Sequence, residues 1–188
     1  MSAEHTHCGK ATSNSGPIAR RCRQAAALGW ITQLLRARQI PFLVVGGLAA
    51  RAYGATRPLF DLDFYVPTTR MAKIASAIRI DSAARVLRED EPYCDAVWDL
   101  RFLAVEYHGQ RIELGGAEGA RYFDRQAGVW RDAAVDWASS VSRVVLGHIV
   151  PVMPKVQLLA YKRAHDREVD RLDLAELERS ASQDSAVT

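Results

Sequence analysis

The spacing of apolar residues along the chain divides it into helical and extended segments. Apolar residues that recur at roughly helical intervals predict a helix over 17–39. A second helix is predicted from Thr68 or Thr69 to about Ile78, because a threonine can cap a helix that follows a strand and a proline. The same spacing over 153–177 predicts one further helix.

Alternating or continuous apolar runs predict the strands. They include two hairpins, because each pair of runs is separated by a short segment that contains glycine. Pro151 lacks a backbone N–H and therefore predicts an edge position for its strand. The predicted strands are 42–45, 61–66, 83–87, 100–107, 111–114, 142–146 and 149–153.

Two stretches between these elements are predicted to be irregular. The acidic run at 89–92 ends in proline and predicts a solvent-exposed turn or loop. The stretch 115–137 combines glycines with aromatic residues, and it predicts a loop-rich connection whose aromatic rings pack on the core or on a lid.

Composition sets the class of protein. A chain of 188 residues with 48% hydrophobic and 25% charged residues is typical of a soluble globular protein. We expect a flexible tail over 1–16 and a single domain over 17–180, whose helical C-terminal segment covers 154–180. No apolar run has the length of a membrane span, and the polar N-terminus lacks the apolar core of a secretory signal, so the expected location is the cytoplasm.

Charge and cysteine content exclude two further classes. A net charge of +3 permits binding to a nucleotide but is not the footprint of a dedicated nucleic-acid-binding protein. The three cysteines have no paired spacing, which favours reduced thiols over a disulfide framework.

The stretch 41–67 carries the candidate chemistry. Gly46 and Gly47 end a predicted strand and precede a short alanine-rich helix over 48–53. Because glycine has no Cβ, this backbone can approach a ligand closely, and its N–H groups with the N-terminus of the helix can bind phosphate.

Asp61 and Asp63 lie two residues apart on the next predicted strand. Side chains at this spacing point to one face, with Cα atoms roughly 6.5 Å apart. Two carboxylates held together need a cation or a proton between them, and their hard oxygen atoms suit Mg²⁺. A phosphate site beside a magnesium site is what phosphoryl or nucleotidyl transfer requires.

This arrangement resembles the nucleotidyltransferase superfamily, whose signature is a Gly-Gly or Gly-Ser turn followed by Asp-h-Asp-h, where h is apolar. The matching residues are Gly46, Gly47, Asp61 and Asp63. The approach to the aspartates, 56–63, is similar to that of small stand-alone members, including antibiotic and toxin–antitoxin nucleotidyltransferases and the nucleotidyltransferase-like proteins also called MazG-related. This sequence has Leu59 where a threonine is common, which should matter little for metal binding.

A second stretch strengthens the resemblance. Over 161–173 a lysine precedes an Arg-x-x-Asp-x-x-Asp run, which resembles the C-terminal helical signature of the small stand-alone members. In that family the lysine, here Lys162, reaches substrate phosphates, and the Arg/Asp pair is largely structural. Lys155 lies seven residues earlier, on the same face of the predicted helix. An amphipathic helix with internal ion pairs remains the alternative interpretation.

The resemblance implies an α+β fold: a mixed, twisted β-sheet flanked by helices, with further helices at the C-terminus. It also implies a third carboxylate from a neighbouring strand. Glu113 is the match, and Glu106 on the preceding strand is its rival. Gly46 and Gly47 would hold the triphosphate, and Lys162, with Arg57 or Lys155, would neutralise the leaving pyrophosphate.

The implied reaction moves a nucleoside monophosphate from an NTP to an acceptor hydroxyl and releases pyrophosphate. Asp61, Asp63 and Glu113 would hold Mg²⁺ in a site for two metal ions, and Glu113 could act as the base for the acceptor hydroxyl. The identity of the acceptor is left open: a small molecule, a protein or an RNA end. Whether the protein forms a homo-oligomer or binds a partner protein is also left open.

Two alternatives share the same fold, because fold does not fix function. One is a catalytically silent binding or regulatory protein, such as a toxin–antitoxin partner, and the other is a phosphohydrolase. The identity of the product separates the three.

Overall fold

The computed structural model describes residues 16–185, with side chains described up to Arg179. The helices are α1 (Pro17–Ala37), α2 (Gly46–Ala52), α3 (Met71–Ile78), α4 (Lys155–His165) and α5 (Glu168–Ser185). The strands are β1 (Leu43–Val44), β2 (Asp61–Val66), β3 (Ala84–Cys94), β4 (Trp98–Tyr107), β5 (Gln110–Gly116), β6 (Arg121–Asp124), β7 (Val129–Asp132), β8 (Val141–Val145) and β9 (His148–Val152). All of the predicted tail except Gly16 lies outside the described residues.

The strands of this part of the chain form one mixed, curled sheet. Its order is β7-β6-β4-β5-β2-β1-β9-β8. Strand β3 pairs with β4 along the edge opposite to β5. The pairs β2–β5 and β1–β9 are parallel, and the others are antiparallel. The α+β fold with a mixed sheet and C-terminal helices is therefore confirmed.

The two faces of the central strands have different partners. Leu62 and Phe64 of β2 are buried on the face that carries the core. Helices α1 and α3 pack there, since Trp30 of α1 stacks on Tyr107 of β4 and the core includes the apolar residues of α3. The opposite face carries Asp61 and Asp63, and α4 packs over its far end, where Tyr161 contacts Trp98. The core thus fixes which face presents the carboxylates.

The acidic run at 89–92 is part of a strand, so the predicted turn is wrong. Strand β3 continues through it with two irregularities in its pairing with β4. The carboxylates of the run are paired with arginines: Arg79 with Glu89, Arg101 with Asp90 and Arg88 with Glu91. These pairs compensate the charge that favoured a loop in the sequence.

Two further predictions need correction. The stretch 115–137 contains the hairpin β6–β7 instead of being loop-rich throughout. The β8–β9 hairpin is confirmed, but β9 lies between β1 and β8 and is not an edge strand. Pro151 is tolerated because β9 pairs with β1 only at Val44 and Val152.

The turn between β4 and β5 has two residues, whereas the predicted strands leave three between them, 108–110. Tyr107 pairs with Gln110, and His108 and Gly109 between them have φ values of 48° and 79°. Positive φ at both central positions is the geometry of a type I′ turn, which matches the twist of paired strands.

The C-terminal helix predicted over 153–177 is two helices. Asp166 has a left-handed conformation, with φ 49°, and ends α4. Its carboxylate is paired with Arg171 of α5 at 2.7 Å. The break lets α5 fold back against α4, with consequences for the buried charges described below. Within residues 16–185 no helix combines the length and the apolarity that crossing a membrane requires.

Candidate active site

Strand register brings three carboxylates together. In the parallel pair β2–β5, Asp63 lies beside Glu113 and Asp61 lies beside Arg111. One oxygen atom from each of Asp61, Asp63 and Glu113 lies within 4.8 Å of the others. Glu106, the rival for the third position, is directed to an ion pair with Arg85 at 3.2 Å. The structure thus groups Glu113, and not Glu106, with the two aspartates.

The Gly-Gly turn is shaped around Asp63. Gly46 has φ +60°, and a Cβ added there would overlap the Asp63 carboxylate. The N–H of Gly47 donates to Asp63 Oδ2 at 3.3 Å. A Cβ on Gly47 would collide with the guanidinium of Arg57. Both positions therefore need glycine because side chains of the site occupy the space that a Cβ would take.

The charges of this cluster are not balanced within the protein. Burial, together with Asp61 and Glu113, raises the pKa of Asp63 well above its usual range, against the lowering effects of Gly47 N–H and Lys162. Burial also raises the pKa of Glu113, which pairs with Arg111. Three oxygen ligands on two rigid strands, short of positive charge, suit a hard divalent cation.

A network of buried ions connects the C-terminal helices to the site. Lys162 is buried, and its Nζ lies 3.1 Å from Asp170 Oδ1 and 2.7 Å from Asp173 Oδ2. Asp173 holds Arg57 through two bonds of 2.7 and 3.0 Å. Asp170 holds Arg167 in the same way, at 2.6 and 3.2 Å. One buried lysine therefore supports two aspartates, and each of these fixes one arginine.

The site opens into a cavity of about 330 Å³. Its lining includes six of the eight residues that the sequence singles out: Gly46, Gly47, Arg57, Asp61, Asp63 and Glu113. Lys155 and Lys162 are not among the lining residues. Lys162 is directed to the two aspartates of α5, and Lys155 lies in the first turn of α4.

The cavity has further lining residues that the sequence analysis did not single out. Arg111 could have been found, because it lies two residues before Glu113 and shares its face. Arg88 and Tyr93 could not, because the irregular pairing of β3 determines which face their side chains share. These lining residues include Tyr65, Arg88, Tyr93, Trp98, Leu100, Phe102, Arg111 and Tyr161.

Solved structures match this arrangement over most of the chain. A candidate nucleotidyltransferase from Thermotoga maritima, TM1012, is 19% identical and aligns with a TM-score of 0.61 over 87% of this chain and 95% of its own. ANT(2″)-Ia, solved in complex with adenylyl-2″-tobramycin, is 15% identical, with a TM-score of 0.57 over 86% of this chain and 91% of its own. The chain has the nucleotidyltransferase fold.

A third match supports the same assignment of the fold. The lincosamide antibiotic adenylyltransferase LnuA, solved with lincomycin bound, is 12% identical, with a TM-score of 0.54 over 81% of this chain and 95% of its own. No protein-family model and no curated protein sequence matches the chain. At these identities the comparisons establish the fold, and the acidic triad of this nucleotidyltransferase fold is a candidate metal site.

Proposed function

We propose that the protein is a Mg²⁺-dependent nucleotidyltransferase that moves a nucleoside monophosphate from an NTP to an acceptor hydroxyl. The observation that carries the proposal is the contact between the Gly-Gly turn and the carboxylate cluster. Gly46 leaves room for Asp63, and Asp63 lies beside Glu113 on the parallel strand. The proposed phosphate-binding turn and the proposed cation site therefore lie side by side in the cavity.

The chain's own groups on the donor side would bind the triphosphate. Gly46 and Gly47 begin α2, so the backbone N–H groups of this turn lie at a helix N-terminus, where anions bind favourably. Arg57 lies against Gly47 and lines the cavity. Asp173 fixes its guanidinium, which would meet the outer phosphates without losing much side-chain entropy.

Asp61, Asp63 and Glu113 would hold the cation. Mg²⁺ bound there would supply positive charge to the transferring phosphoryl group and to the leaving pyrophosphate. The rigid β2–β5 register would keep the three carboxylates in place, and Glu113 would accept the proton of the acceptor hydroxyl.

Lys162 and Lys155 differ in what they contact. Lys162 acts as a positioning residue, because its contacts are Asp170 and Asp173 and these hold Arg167 and Arg57. Direct contact of Lys155 with phosphate stays a prediction of the sequence, since Lys155 does not line the cavity.

Product identity tests the proposed reaction. The protein is incubated with Mg²⁺ and each NTP labelled at the α-phosphate, together with separate small-molecule, RNA and protein fractions of a cell extract. Label in an acceptor with release of pyrophosphate supports the proposal. Release of orthophosphate alone would instead identify a phosphohydrolase.

Binding without any product is the third outcome. Mg²⁺-dependent NTP binding with no transfer to any fraction would favour the silent binding protein over the enzyme. Asp61→Asn is the matched variant, because it keeps the size of the side chain and removes its charge, and it should abolish any genuine transfer.

A further inference from the structure

The cavity has two chemically different sides. The Gly-Gly turn lies on the β1 side of the carboxylates, whereas β4 and β3 lie on the other side of β5. Four residues of β3 and β4 give that far side an apolar, largely aromatic surface, to which Arg88 adds one guanidinium. We call these five residues the aromatic wall: Arg88, Tyr93, Trp98, Leu100 and Phe102.

Register connects the aromatic wall to the carboxylates. Asp63 lies beside Glu113, Glu113 beside Ala104, and Ala104 beside Arg88. With neighbouring strands about 4.8 Å apart, the backbone of Arg88 lies roughly 10 Å from that of Glu113. Arg88 of the wall therefore lies two strands away from Glu113.

The wall offers a flat surface, and it includes or adjoins two donors of the cavity, Arg88 Nε in the wall and the Tyr65 hydroxyl beside it. The rings of Tyr93 and Phe102 lie 5.3 Å apart, and the guanidinium of Arg88 lies 4.6 Å from the centre of the Tyr93 ring. Within residues 16–179, Arg88 Nε and the hydroxyl of the buried, cavity-lining Tyr65 have no hydrogen-bond partner, although Nη2 of Arg88 is paired with Glu91. A buried polar atom without a partner costs free energy, which a ligand could recover.

We propose that the aromatic wall binds the acceptor, and that the acceptor is a small hydroxyl compound with a flat apolar ring and a neutral or anionic polar group. This inference rests on the proposed function. In an in-line displacement the attacking hydroxyl and the leaving pyrophosphate lie on opposite sides of the α-phosphorus. Since Gly46 and Gly47 receive the phosphates, the hydroxyl enters from the side of Glu113 and the wall.

The proposed transfer forms one bond to the α-phosphorus and breaks another. The acceptor oxygen forms a bond to the α-phosphorus, and the bond from the α-phosphorus to the bridging oxygen breaks. The electron pair of that bond leaves with pyrophosphate, and the hydroxyl proton passes to the Glu113 carboxylate.

The charges of the lining disfavour a polycationic acceptor. Among the described residues that line the cavity, the acidic ones are Asp61, Asp63 and Glu113, and the cation of the proposed function would use them. The lining also contains four arginines, each paired with a carboxylate of the protein: Arg57 with Asp173, Arg88 with Glu91, Arg111 with Glu113 and Arg167 with Asp170. Once a cation neutralises Asp61, Asp63 and Glu113, the described lining offers no further carboxylate to a compound with several amino groups.

A matched set of probes tests the charge preference. The probes are 4-(hydroxymethyl)benzoate, 4-(hydroxymethyl)benzamide and 4-(aminomethyl)benzyl alcohol, which share a ring and a hydroxyl and differ in charge. Each is titrated by ligand-observed NMR into the full chain with Mg²⁺ and a non-hydrolysable NTP analogue. We expect the benzoate to bind about tenfold more tightly than the amine, with the amide between them.

Variants of the wall test its location. Arg88→Gln should weaken the benzoate about tenfold and leave the amide nearly unchanged. Phe102→Ala should weaken all three probes by a similar factor. Arg85→Gln is the control, because Arg85 lies on the same strand, is exposed and pairs with Glu106 outside the cavity lining.

Several outcomes would overturn the inference. Failure of all three probes to bind, tightest binding of the amine, or an equal effect of Arg85→Gln would each do so. Loss of NTP affinity in Phe102→Ala, with unchanged affinity for inorganic tripolyphosphate, would mean that the wall holds the nucleobase. Absence of Mg²⁺-dependent NTP binding in the wild type is a different result, and it contradicts the proposed function itself.

Discussion

Asp63 is the residue on which the site depends. It accepts the Gly47 N–H, fills the space that Gly46 leaves, and lies beside Glu113. The i, i+2 spacing of Asp61 and Asp63 was sufficient to predict their common face, because strand geometry alone determines it. The partner of this pair on β5 depends on register, which is a property of the sheet and not of a local pattern.

Gly46→Ala should destabilise the protein and abolish Mg²⁺-dependent NTP binding. The left-handed backbone at Gly46 costs an alanine about 1–2 kcal/mol, and the added methyl group also displaces the Asp63 carboxylate. Urea unfolding and calorimetric NTP titration measure the two effects.

Gly128→Ala is the matched control for that substitution. Gly128 has φ +69°, but a Cβ there would meet nothing within 4 Å. It should lose about 1 kcal/mol of stability and keep its NTP affinity. If the two variants bound NTP equally well, the close contact of Gly46 with Asp63 would not matter for binding.

His165 makes stability depend on pH. Its imidazole is buried among Trp98, Tyr122 and Tyr161, and burial, with a smaller effect of Arg167, lowers its pKa to about 4 from an ordinary value of 6.5. The unfolded chain therefore takes up a proton as the pH falls through 6.5, whereas the folded protein does not until about pH 4. Stability contributed by the neutral ring is present above pH 6.5 and is lost between 6.5 and 4.

His165→Phe should remove this dependence. Between pH 7.5 and pH 5.0 the wild type should lose about 2 kcal/mol of unfolding free energy more than the variant does. Urea unfolding at the two pH values measures the difference. His108→Asn, a substitution in the exposed β4–β5 turn, is the control and should behave as the wild type does. Parallel losses in wild type and His165→Phe would show that His165 does not titrate as described.

At the scale of elements, the two C-terminal helices hold two of the arginines that line the cavity, Arg57 and Arg167. The left-handed Asp166 ends α4, and α5 returns so that Asp170 and Asp173 meet Lys162. The sequence contained the Lys, Arg and Asp spacing of this network but predicted one continuous helix, in which these residues would lie along one axis. No glycine or proline marks the break at 166–167, so local patterns could not reveal the fold-back.

Lys162→Met should cost about 3–5 kcal/mol of stability. It leaves Asp170 and Asp173 buried with their charge only partly compensated, since Arg167 and Arg57 lie nearer the surface. Chemical unfolding measures the loss. The measured NTP affinity should also fall, since Arg57 loses its fixed partner geometry.

Arg163→Gln is the control on the same helix. Its ion pair with Glu178 is half-exposed on both sides and should contribute less than about 1 kcal/mol. An equal effect of the two substitutions would mean that Lys162 supplies no more than a surface ion pair does.

Elements with a clear local signal were predictable from the sequence. Helix α1, strand β2 and the β4–β5 hairpin follow from periodicity and glycine. Strand β3 was missed beyond its first residues because its acidic run is balanced by Arg101 of β4 and by Arg79, which follows α3, and only the tertiary structure supplies these partners. The central place of β9 was missed because Pro151 is compatible with an interior strand when the neighbouring pairing is a single residue pair.

At the scale of the whole molecule, one face of the curled sheet forms the core and the other face forms the candidate active site. Its core face packs on α1 and α3, and its other face carries the carboxylates, the Gly-Gly turn and the aromatic wall in sequence across the strands. The nucleotidyltransferase fold could be predicted because two short motifs occurred in the expected order. The acceptor side could not, since residues from four strands and three helices contribute to the cavity.

The most direct test of the account is the binding of NTP with and without Mg²⁺ to the wild type and to Asp63→Asn, measured by calorimetry. Asp63→Asn keeps an acceptor for the Gly47 N–H and removes one charge from the carboxylate cluster. Glu89→Gln, in the exposed ion pair with Arg79, is the control. We predict Mg²⁺-dependent binding in the wild type and the control, and its loss in folded Asp63→Asn. Equal Mg²⁺-dependent affinity in all three proteins would contradict the account.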